Sequence, residues 1–334
     1  MSHMFESGLM VRTPSWHRLE NAVLKESPSS WDEARKIAGL TWDVETQPVY
    51  TTRSVEITGE PDEWGTRVEP LDGYQALARN DTHVVLSVQA SSYHVIKNEE
   101  FGEVIETLLG VGFDEGLKLE ALMSLYGGRQ VVALAYFEEP LKMSFDDSLN
   151  FTFLAFSSRH DGQGGLRGIP TNVRVVCANT LNWAEASDGK YGFTIKHTST
   201  WKDRVEEVRS QMVLAQRDSA AWVEFASKLA EWQLTPRRRE DFLRKFLPVS
   251  DEYGERANAN HLTARERIRA ILESETCASI KASGYGMAMA ATEWSDHVRP
   301  AQSIDSGIAR QLLRAEDTKT RAMRILRSQA GIKV

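Results

Sequence analysis

Apolar residues change their spacing near residue 200, and that change limits the fold more than any other feature of the chain. Before it, apolar and β-branched residues come in short runs of strand length; after it, they recur every three or four residues, as on one side of a helix. Gly127-Gly128 stands between two strand-compatible runs, residues 117–126 and 130–137, and supplies the positive-φ positions of a tight hairpin. Residues 151–156 alternate aromatic with smaller side chains as a further strand. Shorter strands are expected over 42–45, 49–52, 54–58, 84–88, 93–96, 173–176 and 193–196, with a turn-rich insertion at 60–65. Ser30-Trp-Asp-Glu33 has capping-box spacing and opens a short helix that Gly39 closes. Asn98 is expected to cap a second helix, with Phe101, Val104, Ile105, Leu108 and Leu109 on one side.

Helical spacing sets in at Trp201 and continues through Trp222, Phe225, Leu229 and Trp232. It extends over 237–246, 263–272, 287–298 and 304–326. The expected plan is α+β: an antiparallel, β-rich domain with helices over residues 1–200, then a mostly helical domain over 201–334. A chain of 334 residues is long enough to bury a core of that size.

Charge divides at the same place. Residues from 201 on hold 23 Lys and Arg against 19 Asp and Glu, whereas the first 200 hold 17 against 28. An acidic first part argues against a protein that coats nucleic acid with its whole surface, and leaves room for a local basic groove. The longest apolar runs, such as Val131-Val-Ala-Leu-Ala135, are of strand length, so no membrane-spanning segment is expected. The first residues have neither a basic stretch nor a continuous apolar one, which predicts no signal peptide. Two cysteines, Cys177 and Cys277, make no disulfide framework, and a cytoplasmic protein of a bacterial host is expected.

Two segments carry the candidate chemistry. In the first, Thr171-Asn-Val-Arg-Val-Val-Cys-Ala-Asn-Thr-Leu-Asn-Trp183, a β-branched run is expected to turn at Cys177-Ala-Asn-Thr180 into the first turn of a helix. Leu181, Trp183 and Ala184 would form its apolar side. Such a corner presents free backbone N–H groups and suits an anion such as phosphate; its bland alternative is a capped helix behind a core strand. The second, His160-Asp-Gly-Gln-Gly-Gly-Leu-Arg-Gly168, is a glycine-rich loop following Arg159, without the Gly-Lys-Ser/Thr of a phosphate-binding NTPase loop. If loop and corner lie side by side, Arg159, Arg167, Arg174 and Asn179 converge; otherwise the loop is ordinary polar surface.

Aromatic and basic residues also interleave near strands: Tyr93, His94 and Lys97, Arg129 beside Tyr126, and Lys196-His197 before Trp201. Nucleic-acid grooves use such mixtures, rings stacking on bases while cations follow phosphates; each taken alone is core packing with a solvated rim. His160, Asp161, Cys177 and His197 are able metal ligands but lack any recognised ligand spacing, and no cofactor or metal is expected. Cys177 as a nucleophile has apolar neighbours against it, and Asp146-Asp147 reads as a turn. Arg237-Arg-Arg239 with Arg244-Lys245 reads as a solvated helix face, whereas Arg310, Arg314, Arg321, Arg324 and Arg327 make a basic stripe on the last helix.

Several segments, in order along the chain, carry a family resemblance. They include Thr13-Pro-Ser-Trp-His-Arg-Leu19, Gly39-Leu-Thr-Trp-Asp-Val-Glu45, Ala78-Arg-Asn-Asp-Thr82 and Ser92-Tyr-His-Val-Ile-Lys-Asn98. Tyr126-Gly-Gly-Arg-Gln130, Ser158-Arg-His-Asp-Gly162, the 173–181 corner, Lys196-His-Thr198 and Ala291-Thr-Glu-Trp-Ser-Asp-His297 complete them. With these the chain resembles the phage/plasmid-like proteins built on domain of unknown function 932. That resemblance implies a mobile-element setting and no settled activity.

The leading expectation is a non-enzymatic phage or prophage protein that binds single-stranded DNA in recombination or replication of the annealing type, as a homo-oligomer. Its groove would use Lys97, Arg129, Arg159, His160, Arg167, Arg174, Asn179, Lys196 and His197. A first alternative is an enzyme or metal-dependent protein using the His160/Asp161 loop and the Cys177–Asn179 corner. A second is a self-assembling or host-factor-binding protein.

Overall fold

The computed structural model describes residues 7–11, 23–56, 64–109, 117–137, 141–174, 179–182, 193–205, 207–208, 219–312 and 317–332. Twelve strands are described in them: β1 (Ser7–Val11), β2 (Val23–Leu24), β3 (Val44–Glu56), β4 (Trp64–Arg79), β5 (Val85–Ala90) and β6 (Leu117–Leu125), then β7 (Gln130–Phe137), β8 (Leu141–Met143), β9 (Asp146–Arg159), β10 (Leu166–Arg174), β11 (Asn179–Asn182) and β12 (Phe193–Ile195). The α-helices described are α1 (Trp31–Ile37), α2 (Asn98–Leu109), α3 (Ser219–Glu231), α4 (Pro236–Phe246), α5 (Glu255–Leu272), α6 (Gly284–Glu293), α7 (Ile304–Leu312) and α8 (Asp317–Ala330), with a helical turn at 201–205. Sheets dominate the first part and helices the second, an α+β protein.

Nine strands form one sheet in the order β11-β10-β9-β7-β6-β1-β2, with β12 added on β10 and β8 on β9. Its centre is β7, where Val131, Val132, Ala133, Leu134 and Ala135 are all buried. Such a continuous apolar run fits a strand covered on both faces. The hairpin joining β6 to β7 turns through Tyr126, Gly127 and Gly128, at φ of 56°, 68° and 92°, a conformation that glycine adopts without steric cost. A register shift at Glu120 brings Leu119 and Leu122, three apart in sequence, onto the same face.

On one face of this sheet, Leu122, Val131, Ala133, Leu154 and Phe156 meet Trp31 and Ala34 of α1, Phe101 and Ile105 of α2, and Trp201 and Val205. On the other, Met123, Val132, Leu134, Tyr136 and Ala155 meet Ile308 and Ala309 of α7. A third core, among α3 to α6 and α8, includes Met143 of β8. Helix α1 starts as its sequence requires: Ser30 Oγ accepts from the Glu33 N–H, and Gly39 at φ 68° ends the turn. Glu33 reaches back to Ser29 rather than to Ser30.

Three expectations need correction. Residues 42–58 are not three short strands: 44–56 form one strand of 13 residues, paired with β4 around an irregularity between Pro48 and Tyr50. Residues 93–96 form no strand, because their polar groups bond elsewhere: Tyr93 N–H to the Ala90 carbonyl, His94 N–H to the His197 carbonyl. Asn179 and Thr180 do not start a helix. They open β11, which pairs antiparallel with β10 from Arg174↔Asn179 to Thr171↔Asn182. Val175, Val176, Cys177, Trp183 and Ala184 lie outside the described residues.

Strands β3, β4 and β5 make a second, three-stranded sheet, beyond which β3 and β4 continue as a two-stranded ribbon. Tyr50, Trp64 and Val68 share one side of that ribbon by register and are exposed. Among the described residues no helix is long and apolar enough to cross a membrane.

Candidate functional site

The end of β9 is where the sequence-predicted residues gather. Arg159 closes the strand, and residues 160–165 connect it to β10. The alternation of a strand sends neighbours to opposite faces. Arg159 goes to the face of Ser157 and Gln130, whereas His160 goes to the face of Phe156, where its ring packs edge-on against Trp42 at 6.1 Å.

Arg159 is held on all sides. Its Nε donates to Asp161 Oδ1 at 2.9 Å, its Nη2 pairs with Asp161 Oδ2, and Gln163 and Gln130 accept further contacts. That bidentate pair raises the arginine above its ordinary range. Burial pushes the Asp161 carboxyl up, but the Arg159 hydrogen bond and the Gln163 N–H outweigh it and hold it below the usual carboxylate range. Tyr93 Oη donates to the Arg159 carbonyl at 3.0 Å, and burial raises its phenol.

His160 is 1% exposed. Its backbone N–H donates to the Arg129 carbonyl and its carbonyl accepts from Ser87 Oγ, each over about a hydrogen-bond length. Burial, with His197 nearby, lowers its imidazole to about 4, against the pull of the Gly128 and Ile96 carbonyls. Neither ring nitrogen completes a hydrogen bond among the described residues. His197 lies stacked on Tyr93 at 4.9 Å, its Nδ1 beside the His94 carbonyl at 3.1 Å and its Nε2 unpaired. Burial lowers it to about 4 as well. Both imidazoles are therefore neutral at neutral pH.

Around this buried centre stand exposed cations. Arg129 reaches the Leu86 carbonyl through Nε. Lys97 is exposed and follows Ile96, on the His160 side of the sheet. Arg167 belongs not to the loop but to β10, opposite Ser157 on one side and Thr194 on the other. Lys196 follows β12, so it and Arg167 are diagonal neighbours about 7–8 Å apart on one face. Extending those registers by two residues sets Gly165 between Arg159 and Lys196. A Cβ at Gly165 would stand 2.1 Å from the Ile195 carbonyl oxygen, so only glycine fits there. Lys97, Arg167 and Lys196 form no ion pair among the described residues. Arg167 and Lys196 are exposed, whereas Gly165 between them is buried; exposed cations on one face suit an anion.

Arg174 and Asn179 do not join this group. They face each other across β10 and β11, seven residues from Arg167 along the strand, roughly 23 Å at strand rise. Cys177 lies outside the described residues, and no group of three or more His, Cys, Asp or Glu among the described ones is arranged to hold a metal. Sequence reasoning missed Trp42, Ser87, Gln89 and Gln130. Gln89 donates to the Asp161 carbonyl and Gln130 to Ser157 Oγ, contacts made across strands far apart in sequence that carry no local signal.

No curated protein and no solved structure matches this chain. The model of the domain of unknown function DUF932 matches residues 85–328, which include β5, the loop, β12 and nearly all of the helical part. The chain belongs to the family defined by that domain.

Proposed function

We propose that this protein binds single-stranded nucleic acid as part of a phage or prophage recombination or replication system of the annealing type. It would act without chemistry of its own, as a homo-oligomer in the bacterial cytoplasm. One observation carries the reading: Arg167 and Lys196, exposed and without ion pairs among the described residues, share by register the sheet face of Arg159. Free cations in that arrangement meet phosphates without first breaking internal ion pairs. The mobile-element resemblance supplies the setting.

The test is fluorescence polarisation of a labelled single-stranded oligonucleotide across a salt series, with particle size followed in parallel. The parent is expected to bind with a steep salt dependence. The Arg167→Ala, Lys196→Ala double variant is expected to flatten the log–log slope by about 1.4, at roughly 0.7 per single-strand phosphate contact. An unchanged slope, or no binding by the parent at low salt, rejects the reading. The second reading, an enzyme at the same loop, draws on the unpaired ring nitrogens of buried His160. It requires a turnover that His160→Gln abolishes.

A further inference from the structure

An antiparallel sheet packed on one side points apolar residues at the core and polar ones at solvent. The inward side of the β3-β4-β5 sheet agrees. Val44 and Leu77 belong to the core that holds Phe101 and Phe156, and Ser87 and Gln89 donate to the His160 and Asp161 carbonyls. The outward side does not agree. Register sets Gln47, Ala76 and Val88 in one row across it and Glu45, Ala78 and Val85 in the next, with Tyr74 opposite Ala90 at the far end. Tyr74, Val85 and Val88 are each about half exposed, and Glu45 is the one charge among these positions. Of the twelve large apolar residues exposed among the described ones, eight lie between residues 50 and 88, so they mark a surface rather than scatter singly.

The outward face also has relief. Ala76 and Ala78 on the central strand are 8% and 0% exposed, lower than Val85 and Val88 on β5 beside them. A furrow of alanine therefore runs along a ridge of valine. A two-fold contact sets a surface against its own copy, so that surface must complement itself. Furrow and ridge side by side do so, because each ridge can enter the other copy's furrow as the side chains of packed sheets interdigitate. Charge favours the same occupant. The chain carries a net charge of −7, and two copies repel least where charge is sparse. A phosphate backbone would find no cation at these outward positions, and Arg53 and Arg67 of the ribbon are both paired with Glu69.

Size fits as well. The three-stranded part measures roughly 20 by 14 Å, short of the roughly 800 Å² per partner of a standard interface. The ribbon lengthens it: β3 has 13 residues, about 43 Å at strand rise, and carries the exposed Tyr50 opposite the Trp64 and Val68 strand. A two-stranded ribbon is marginal in water until something covers it.

We propose that a second copy of this chain packs on the outward face of the β3-β4-β5 sheet and its ribbon, Val85 and Val88 of each copy over Ala76 and Ala78 of the other. This rests on the homo-oligomer part of the function proposed above and uses none of the cations on the Arg159 face.

The experiment is sedimentation equilibrium of the full chain for the parent, Val88→Glu and Leu262→Glu, the last altering an exposed apolar residue of α5. The parent is expected at the mass of two chains or an even multiple of it. Val88→Glu is expected to weaken that contact by roughly a hundredfold or more, since no cation there meets the new carboxylate, with the far-ultraviolet circular dichroism unchanged. Ala90→Glu, at another exposed position of the face, reads the same loss if Val88→Glu disturbs its strand. Leu262→Glu is expected to keep the parent mass. A monomeric or odd-numbered parent overturns the inference, as does an oligomer that Leu262→Glu weakens as much, or that neither Val88→Glu nor Ala90→Glu weakens. A monomer that floats with neutral phosphatidylcholine vesicles until Val88→Glu releases it overturns the inference in favour of a lipid surface. Oligonucleotide polarisation on the same samples separates the two readings. A two-fold oligomer that binds no oligonucleotide keeps this inference and rejects strand binding, and a monomer that binds does the reverse.

Discussion

Acidification from about pH 7.5 to about pH 5 will destabilise this protein through His160 and His197. Unfolded, each imidazole titrates near 6.5; folded, burial holds each near 4. A histidine whose folded pKa is depressed takes its proton more readily when unfolded. The stability it permits is therefore complete above about pH 6.5, falls between 6.5 and 4, and levels off below 4. At about pH 5 the linkage amounts to about 2 kcal/mol for each residue and about 4 kcal/mol for both. That is a large share of the 5–15 kcal/mol typical of a folded domain. The assay is the urea midpoint at both pH values for the parent, His160→Gln, His197→Gln and the double variant. With a slope of about 3 kcal/mol per molar, the histidines move the parent midpoint by roughly 1 M. Each single variant should lose about half of that pH dependence. Asp161, whose carboxyl is held low, also loses stabilisation in acid, but it is present in every variant and drops out of the difference. Single variants with the parent's full pH dependence, or a His160 ring resonance titrating near 6.5, would refute the reasoning.

Two further outcomes follow from packing. Gly128→Ala places a Cβ at φ 92° and 2.9 Å from the Trp42 ring, and should lower the unfolding free energy by about 1–3 kcal/mol in urea. A midpoint equal to the parent's would show that the hairpin relaxes freely. Lys319→Met removes the ammonium paired with the buried Asp296 carboxylate and should cost about 3–5 kcal/mol, while Asp296→Leu with Lys319→Met recovers most of it. A double variant as unstable as the single one would contradict that account.

The parts of the fold that local chemistry decides were legible in the sequence. Gly127-Gly128 marked its hairpin because few other residues accept consecutive positive φ angles, and Ser30 marked α1 because its hydroxyl satisfies a free N–H. Asn179 and Thr180 misled because the same short polar side chains suit a helix start and a chain reversal alike. The choice between them was made at long range, by eight paired positions between β9 and β10 that continue outward into β11. Tyr93 has the composition of a strand residue, yet its hydroxyl and ring are taken by Arg159 and His197. Arg159, His160 and His197 were recognisable as a chemically able set, but their burial was not. Arg267, Arg299 and Arg321 carried no joint signal, since it takes the packing of α5, α8 and the turn after α6 to bring them to one cavity.

The pairing of β1 with β6 constrains how the chain can be made. Residues 7–10 lie against 121–124, so β1, with only the two-residue β2 beside it earlier in the chain, waits more than a hundred residues for its long antiparallel partner. At about 5–20 residues per second, that wait lasts roughly 6–23 s. Leu9, Met10 and Val11, all buried in the finished sheet, spend it exposed to other nascent chains. The face covered by α7 waits longer still, because Ile308 and Ala309 come more than a hundred residues after β7 in the chain. Recombinant yield should therefore respond more to slower synthesis at low temperature, or to a holding chaperone, than to any change that strengthens the finished fold.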